Sequence, residues 1–263
     1  MARVVHLTDL HFGFHRADLV EPLLARIEEL DPDIVVLGGD LTHRARPAQM
    51  RLAVGFIARI RARVIAIPGN HDVPPWNPAA RLFWPFAAWR AQFGNDLRPS
   101  AQTGDVRVMT LNSTDPYVWQ RGKVRAGEIR RLERGLDPLA TNIVALHHPL
   151  QHLPRVDKQL ARRADEALHR LEGAGVHIIL SGHLHRWAVD ALIETGRHPR
   201  LLQVQTGTAL CARVSDLRNE FAVLDIDGTE VAIQHHVAEQ PAGLWSEPET
   251  TRYSRASGIW QRV

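Results

Sequence analysis

Residues 34–40 read Ile34-Val35-Val36-Leu37-Gly38-Gly39-Asp40. Four apolar residues in succession, three of them β-branched, suit a strand buried on both faces, as in parallel sheets. The two glycines let the backbone turn sharply and approach a ligand closely. The turn then delivers a carboxylate. A hydrophobic strand that stops at a polar turn is the unit from which the rest of the chain is read.

Five further strands precede residue 185: Val4–Thr8, Val64–Ile67, Val106–Leu111, Ile143–Leu146 and Val176–Leu180. Helical patterns lie between them at Ala17–Leu30, Pro47–Ile60, Ala79–Phe93, Ala126–Leu136 and Gln159–Glu172. Such alternation implies a largely parallel sheet covered by helices, an α/β fold. After His185 the pattern changes. Ala188–Ile193, Leu201–Gln205, Phe221–Ile226 and Val231–His236 read as strands joined by short turns such as Asp227-Gly228, hence as antiparallel pairs. No linker separates the halves. One domain is expected over residues 1–240, followed by a polar, Pro/Gly-containing tail over 241–263 that is expected to be partly disordered.

The 263 residues suffice for one large core. No apolar run reaches the ~18 residues of a membrane span, and the N-terminus lacks a secretory h-region. The single cysteine, Cys211, excludes an intrachain disulfide and a thiolate metal cluster. It fits a reducing cytoplasm and is read as a small apolar side chain. Thirty-two basic against 29 acidic residues leave a net charge of +3, and Lys123 and Lys158 are the only lysines. That is a poor basis for nucleic acid as partner. The 15 histidines are the anomaly.

Polar residues gather where five of the strands stop: Asp9-Leu10-His11, Gly38-Gly39-Asp40, Gly69-Asn70-His71-Asp72, His147-His148-Pro149 and Gly182-His183-Leu184-His185. In open α/β sheets the carboxyl ends of strands form the binding edge, so all five converge on one rim. On an extended chain, residues i and i+2 point the same way, which aims Asp9 with His11 and His183 with His185. The donors Asp9, His11, Asp40, Asn70, His147, His183 and His185 are too many for one four-coordinate zinc. They suit two divalent ions sharing a bridging carboxylate, with Mn, Fe or Zn as candidates because no thiolate is present. Two such ions against two carboxylates leave a net positive site for an anionic substrate. They can clamp both oxygens of a phosphoryl displacement.

In this order the motifs D-x-H, GD, GNHD, H-x-P and GHxH resemble those of the calcineurin-like metallophosphoesterases, over about Ala2 to His236, and within them the class III cyclic-nucleotide phosphodiesterase branch. The resemblance implies a four-layer αββα sandwich. It implies one metal on Asp9, His11, Asp40 and His185, and a second on Asp40, Asn70, His147 and His183, with Asp40 as the catalytic bridge. It also implies that His71 contacts the phosphate and protonates the leaving group. Asn112, in Asn112-Ser113-Thr114, loosely matches a polar substrate position of the cyclic-nucleotide branch.

Other residues carry two readings each. Asp72 orients His71 or caps its turn. His148 faces away or lines the pocket. Tyr117 and Trp119 stack on a base or cover a loop. Thr206-Gly207-Thr208 lines the rim or is an ordinary turn, with the turn preferred, and His15 and His43 read as solvated loop residues or phosphate contacts. Pro74–Arg98, with Phe83, Phe86 and Phe93 on one face, reads as a helix packed on the sheet, the other reading being a lid.

The expected function is a binuclear-metal-dependent phosphohydrolase. Foremost is a phosphodiesterase of small phosphodiesters, cyclic nucleotides among them, using a hydroxide between the ions as nucleophile. The alternatives are a phosphomonoesterase or pyrophosphohydrolase with the same centre and, behind them, a DNA-repair-type nuclease. A non-catalytic scaffold is disfavoured because every ligand position is filled. The expected partner is a small phosphodiester or nucleotide substrate, and the oligomeric state stays open.

Overall fold

In the computed structural model, which describes residues 1–153, 156, 158–189, 196–213, 218–239 and 244–263, two sheets form. The first contains β1 (Ala2–Leu7), β2 (Ile34–Leu37), β3 (Arg63–Ala66), β9 (Glu220–Asp227), β10 (Glu230–Val237), β11 (Glu249–Ser254) and β12 (Gln261–Arg262). Their order is β12-β11-β10-β9-β1-β2-β3. β1 and β2 run parallel with Val4 opposite Ile34, and β1 and β9 antiparallel with Val4 opposite Leu224. The second sheet has the order β4-β5-β6-β7-β8, made of Ser100–Thr103, Val106–Leu111, Thr141–Leu146, Ile178–Ser181 and Leu202–Gln205.

The period of two along each strand sorts its side chains into layers. Val4, Val36 and Leu224 of the first sheet meet Val108, Ile143 and Leu180 of the second in one apolar core. The opposite face of the first sheet, with Val5, Val35 and Leu37, packs on α1 (Val20–Leu30) and α2 (Pro47–Ile57) through Leu23, Ile27 and Phe56. Met109, Val144 and Ile179 pack outward on α5 (Ala126–Gly135) and α6 (Ala164–Ala174) through Leu132, Leu168 and Leu171. The result is the four-layer αββα arrangement. Each fully buried aliphatic side chain contributes about 1.5–3 kcal/mol.

Three expectations change, and a fourth lies mostly outside the described residues. β8 pairs with β7 in parallel, not antiparallel, because about twenty residues separate the two strands and a crossover becomes possible. Within the expected strand Ala188–Ile193, Ala188 makes only an isolated bridge to Gln205, and residues 190–193 lie outside the described ones. The stretch read as a tail adds β11 and β12 to the first sheet, with Tyr253 opposite Val231. Tyr253 and Trp260, 1% and 2% exposed, supply apolar burial that the polar composition conceals. The single helix Ala79–Phe93 is two, α3 (Pro78–Phe83) and α4 (Ala87–Phe93). Pro85 cannot donate to the preceding turn and crowds it, so the helix stops. Trp89 of α4 is buried while Phe83 of α3 is 65% exposed.

Candidate active site

The five polar clusters follow β1, β2, β3, β6 and β7 and meet at one rim. They meet by a route other than extended spacing. Asp9, His11, Asp40, His183 and His185 all have φ between 51° and 71°, the left-handed region. Three of the five clusters are thus tight turns, not continued strands, because the sheet has ended and backbone groups pair across loops. Asp9 N–H donates to the Gly39 carbonyl at 3.0 Å and His11 N–H to the Asp40 carbonyl at 3.0 Å. Gly69 is required at its place. A Cβ there would stand 2.1 Å from Asp40 Oδ1.

Around Asp9 the donors are close. His185 Nε2 lies 3.0 Å from Asp9 Oδ1 and 3.3 Å from His11 Nε2. His11 Nε2 is 3.6 Å from Asp9 Oδ1 and 3.9 Å from Asp40 Oδ2. Around the other oxygen system, His147 Nε2 lies 3.3 Å from Asp40 Oδ2 and 3.2 Å from Asn70 Oδ1. The ring nitrogens of His147, His148 and His183 lie within 4.8 Å of one another. Asp40 stands between the two groups. Atoms bound to one cation at about 2.0–2.2 Å stand about 3.0–3.5 Å apart. Converging imidazole nitrogens and carboxylate oxygens at this spacing fit divalent cations, and the set is hard enough for Mn, Fe or Zn.

These groups are buried, from 0% exposed for Asp9 to 8% for His185. Burial opposes ionisation of Asp9, but His185 and His11 hold its carboxyl well below the usual range. Asp40 is likewise depressed against burial by His147, His71 and His11. Burial also works against charge on His147, yet Asp40, Asp9 and the Gly38 carbonyl raise it to about 9. Burial drives His11 down and, with the charge of neighbouring imidazoles and Lys158, His183 well down, which favours the neutral ring that ligates through its one bare nitrogen.

His71 sits beside this group without joining it. Its backbone N–H donates to Asp40 Oδ1 at 2.8 Å. Its Nδ1–H donates to the His43 carbonyl at 2.7 Å, and the two rings stack at 5.4 Å. A carbonyl only accepts, so Nδ1 carries the hydrogen and Nε2 is the free position. Next to His71 lies a cavity of about 500 Å³ lined by His43, Arg44, Asn70, His71, Trp76 and Trp119, among others.

The remaining residues sort as follows. Asp72 serves its loops, accepting from Leu41 N–H, Thr42 N–H, Thr42 Oγ1 and Gly69 N–H at 2.8–3.1 Å. Burial and Asp40 raise it to about 6. His148 does not face away: its ring is 4.7 Å from that of His183, and Nδ1 pairs with Ser113 Oγ at 2.9 Å. Strand alternation no longer governs it, since β6 ends at Leu146. Asn112 spends its Oδ1 on the Thr114 N–H of its own turn. Thr208 does more than turn the chain, because its hydroxyl holds the Asp9 carbonyl at 2.6 Å. Cys211 Sγ lies within 4.8 Å of ring nitrogens of His11 and His185, nearer the centre than an apolar packing residue need be. Thr208 thus follows the rim reading of its turn, whereas the placement of Cys211 has no sequence signal because it comes from a loop far along the chain.

A family model described as calcineurin-like phosphoesterase matches residues 2–187. A cAMP/cGMP dual specificity phosphodiesterase of Mycobacterium tuberculosis is 29% identical over 208 residues, 69% of this chain and 61% of the relative. The chain thus spans about three fifths of that relative's length. A probable cyclic nucleotide phosphodiesterase of Vesicomyosocius okutanii is 22% identical over 197 residues, 70% of this chain and 79% of the relative. Among solved structures, a purple acid phosphatase of yellow lupin superposes with TM-score 0.69 at 15% identity, over 95% of this chain and 53% of that one. Vps29 of Chaetomium thermophilum gives 0.54 at 12% identity, over 96% and 97%. These superpositions show the shared fold.

Proposed function

The chain belongs to the calcineurin-like phosphoesterase family, and we propose that it is a two-metal phosphodiesterase of small phosphodiesters, cyclic nucleotides foremost. The observation that carries this reading is Asp40, which lies between two converging donor groups. Asp9, His11, Asp40 and His185 would hold one divalent ion, and Asp40, Asn70, His147 and His183 the other. Mn, Fe or Zn suits this donor set. When bound, the ions lower the pKa of water and draw charge from the phosphoryl oxygens.

The chain's own residues supply the rest. Turns at Asp9, Asp40 and His183 hold the donors rigid, so little rearrangement opposes the reaction. His71 keeps one hydrogen on Nδ1, fixed to the His43 carbonyl. Its Nε2 is the atom left to hand a proton to the departing alkoxide. Asn112 would act through its amide nitrogen, because its Oδ1 is held by the Thr114 N–H.

Among the described residues no helix is long and apolar enough to cross a membrane. A buried single cysteine and a small polar substrate agree with a cytoplasmic setting. A second reading, a phosphomonoesterase, is favoured by Arg44, a cation on the same cavity that could take the extra charge of a monoester. The two separate on bis(p-nitrophenyl) phosphate against p-nitrophenyl phosphate, with Mn²⁺-loaded protein. Diester cleavage is expected, and cleavage of the monoester alone overturns the first reading. His71→Asn should keep both ions and lose about 10²–10⁴ in kcat, most for poor leaving groups.

A further inference from the structure

We propose that Trp76 and Trp119 are the two aromatic walls that hold the planar organic group of the substrate, and that α3 positions both. This rests on the phosphodiesterase reading and names its substrate class: diesters bearing a nucleobase or comparable flat ring, rather than aliphatic diesters.

Both rings line the cavity that Asn70 and His71 also line. Its volume of about 500 Å³ lies in the range of small-ligand sites, about 300–1,000 Å³. The rings are 52% and 65% exposed, and neither belongs to the three apolar clusters of described residues. Their conformations are nonetheless fixed. Trp76 Nε1–H donates to the Arg44 carbonyl at 3.0 Å. Trp76 immediately precedes Asn77, whose Oδ1 caps α3 by accepting from Ala80 N–H at 2.9 Å. From the same helix, Arg81 places its guanidinium 4.8 Å from the Trp119 ring centre and donates to the Val118 carbonyl at 3.0 Å.

One short helix thus carries one ring at its start and braces the other from its first turns. A cation over one face of an indole holds the ring in place and leaves the second face for a ligand. Large, rigid, amphipathic rings gain contact area at small entropic cost. Stacking on such rings accepts any base, because every base has a π-face. The break at Pro85 ends α3 after Phe83, so α3 is separate from α4. The lid and packed-helix readings of residues 74–98 both fall short here. α4 packs into the fold through Trp89, and α3 braces the two rings that line the cavity.

The test uses the metal-loaded full chain with Trp119→Ala, Trp76→Ala and Trp119→Phe, assayed on adenosine 3′,5′-cyclic phosphate and on glycerophosphocholine, an aliphatic diester. Each alanine variant should lose about tenfold to a hundredfold in kcat/KM on the cyclic nucleotide, carried by KM. Trp119→Phe should recover most of the loss, and the aliphatic diester should change less than about twofold. Equal losses on both substrates, a loss confined to kcat, no loss on the cyclic nucleotide, or a wild type that prefers the aliphatic diester overturns the proposal. A wild type that cleaves neither diester defeats the phosphodiesterase reading itself. The walls are then judged by quenching of tryptophan fluorescence on titration with adenosine monophosphate. Quenching that weakens in both alanine variants supports them, and quenching equal to wild type overturns them.

Discussion

The space between the two sheets and the rim at their strand ends are about equally dry, and they are built in opposite ways. Between the sheets, Val36, Leu180 and Leu224 are fully buried, apolar and in regular strand geometry. At the rim, Asp9, His11 and His147 are also fully buried, and they are charged or polar. Of the eight non-glycine residues with positive φ among those described, five are rim residues proposed as metal ligands. Each such conformation costs about 1–3 kcal/mol at most, less for Asp than for β-branched residues. A buried unpaired charge costs far more. The rim is therefore tenable because its charges face one another and, in the proposed loaded state, two cations. The sandwich supplies the stability that offsets it.

That contrast can be broken by experiment. Asp40→Asn should cut kcat about a thousandfold or more, about 4 kcal/mol in the barrier, and lower bound metal below two ions by elemental analysis. Retention of both ions and of full rate would show that the rim needs no shared carboxylate. Leu224→Ala should do the reverse. It should lower unfolding free energy by about 3 kcal/mol in a denaturant titration and leave kcat of the folded protein unchanged. A matching loss of kcat would mean that the two regions are not separable.

Two smaller effects sharpen the contrast. Ala45 has φ 50° near the rim and is not a donor. Ala45→Gly should raise stability by up to about 1 kcal/mol, read from the same titration. A fall would mean that its buried methyl outweighs the strain. His236 is a buried histidine far from the rim in the chain, stacked on Phe221 at 4.7 Å. Burial, with the charges of Arg26, His235 and Arg3 against that of Asp225, lowers it to about 4 from 6.5. The unfolded chain then binds a proton that the folded one refuses. Its stabilising effect is complete above about pH 6.5 and is lost as pH falls towards 4. His236→Phe should flatten this acid limb by at most about 1.4 kcal/mol per pH unit. An unchanged limb would show that His236 adds nothing to it.

Much of this was legible in residue order. β2 and β5 fall at Ile34–Leu37 and Val106–Leu111 as the apolar runs predict, because buried strands leave a local signature. The five polar turns were equally visible. The direction of β8 was not, since a strand's sequence does not record its partner. The strands beyond residue 240 were hidden by polar faces. Trp76 was legible as an aromatic residue and illegible as a lining residue of the cavity beside His71, because no short stretch of sequence records that cavity.

The order of turns and the donor chemistry were thus fixed by the chain itself: which atoms could bind cations, and that they follow strand ends. Folding alone decided the distances. His11 comes within 3.3 Å of His185 across 174 positions, and Thr208 reaches the Asp9 carbonyl across 199. Such contacts depend on sheet pairing and left-handed turns acting together, and neither is written in any short stretch of residues.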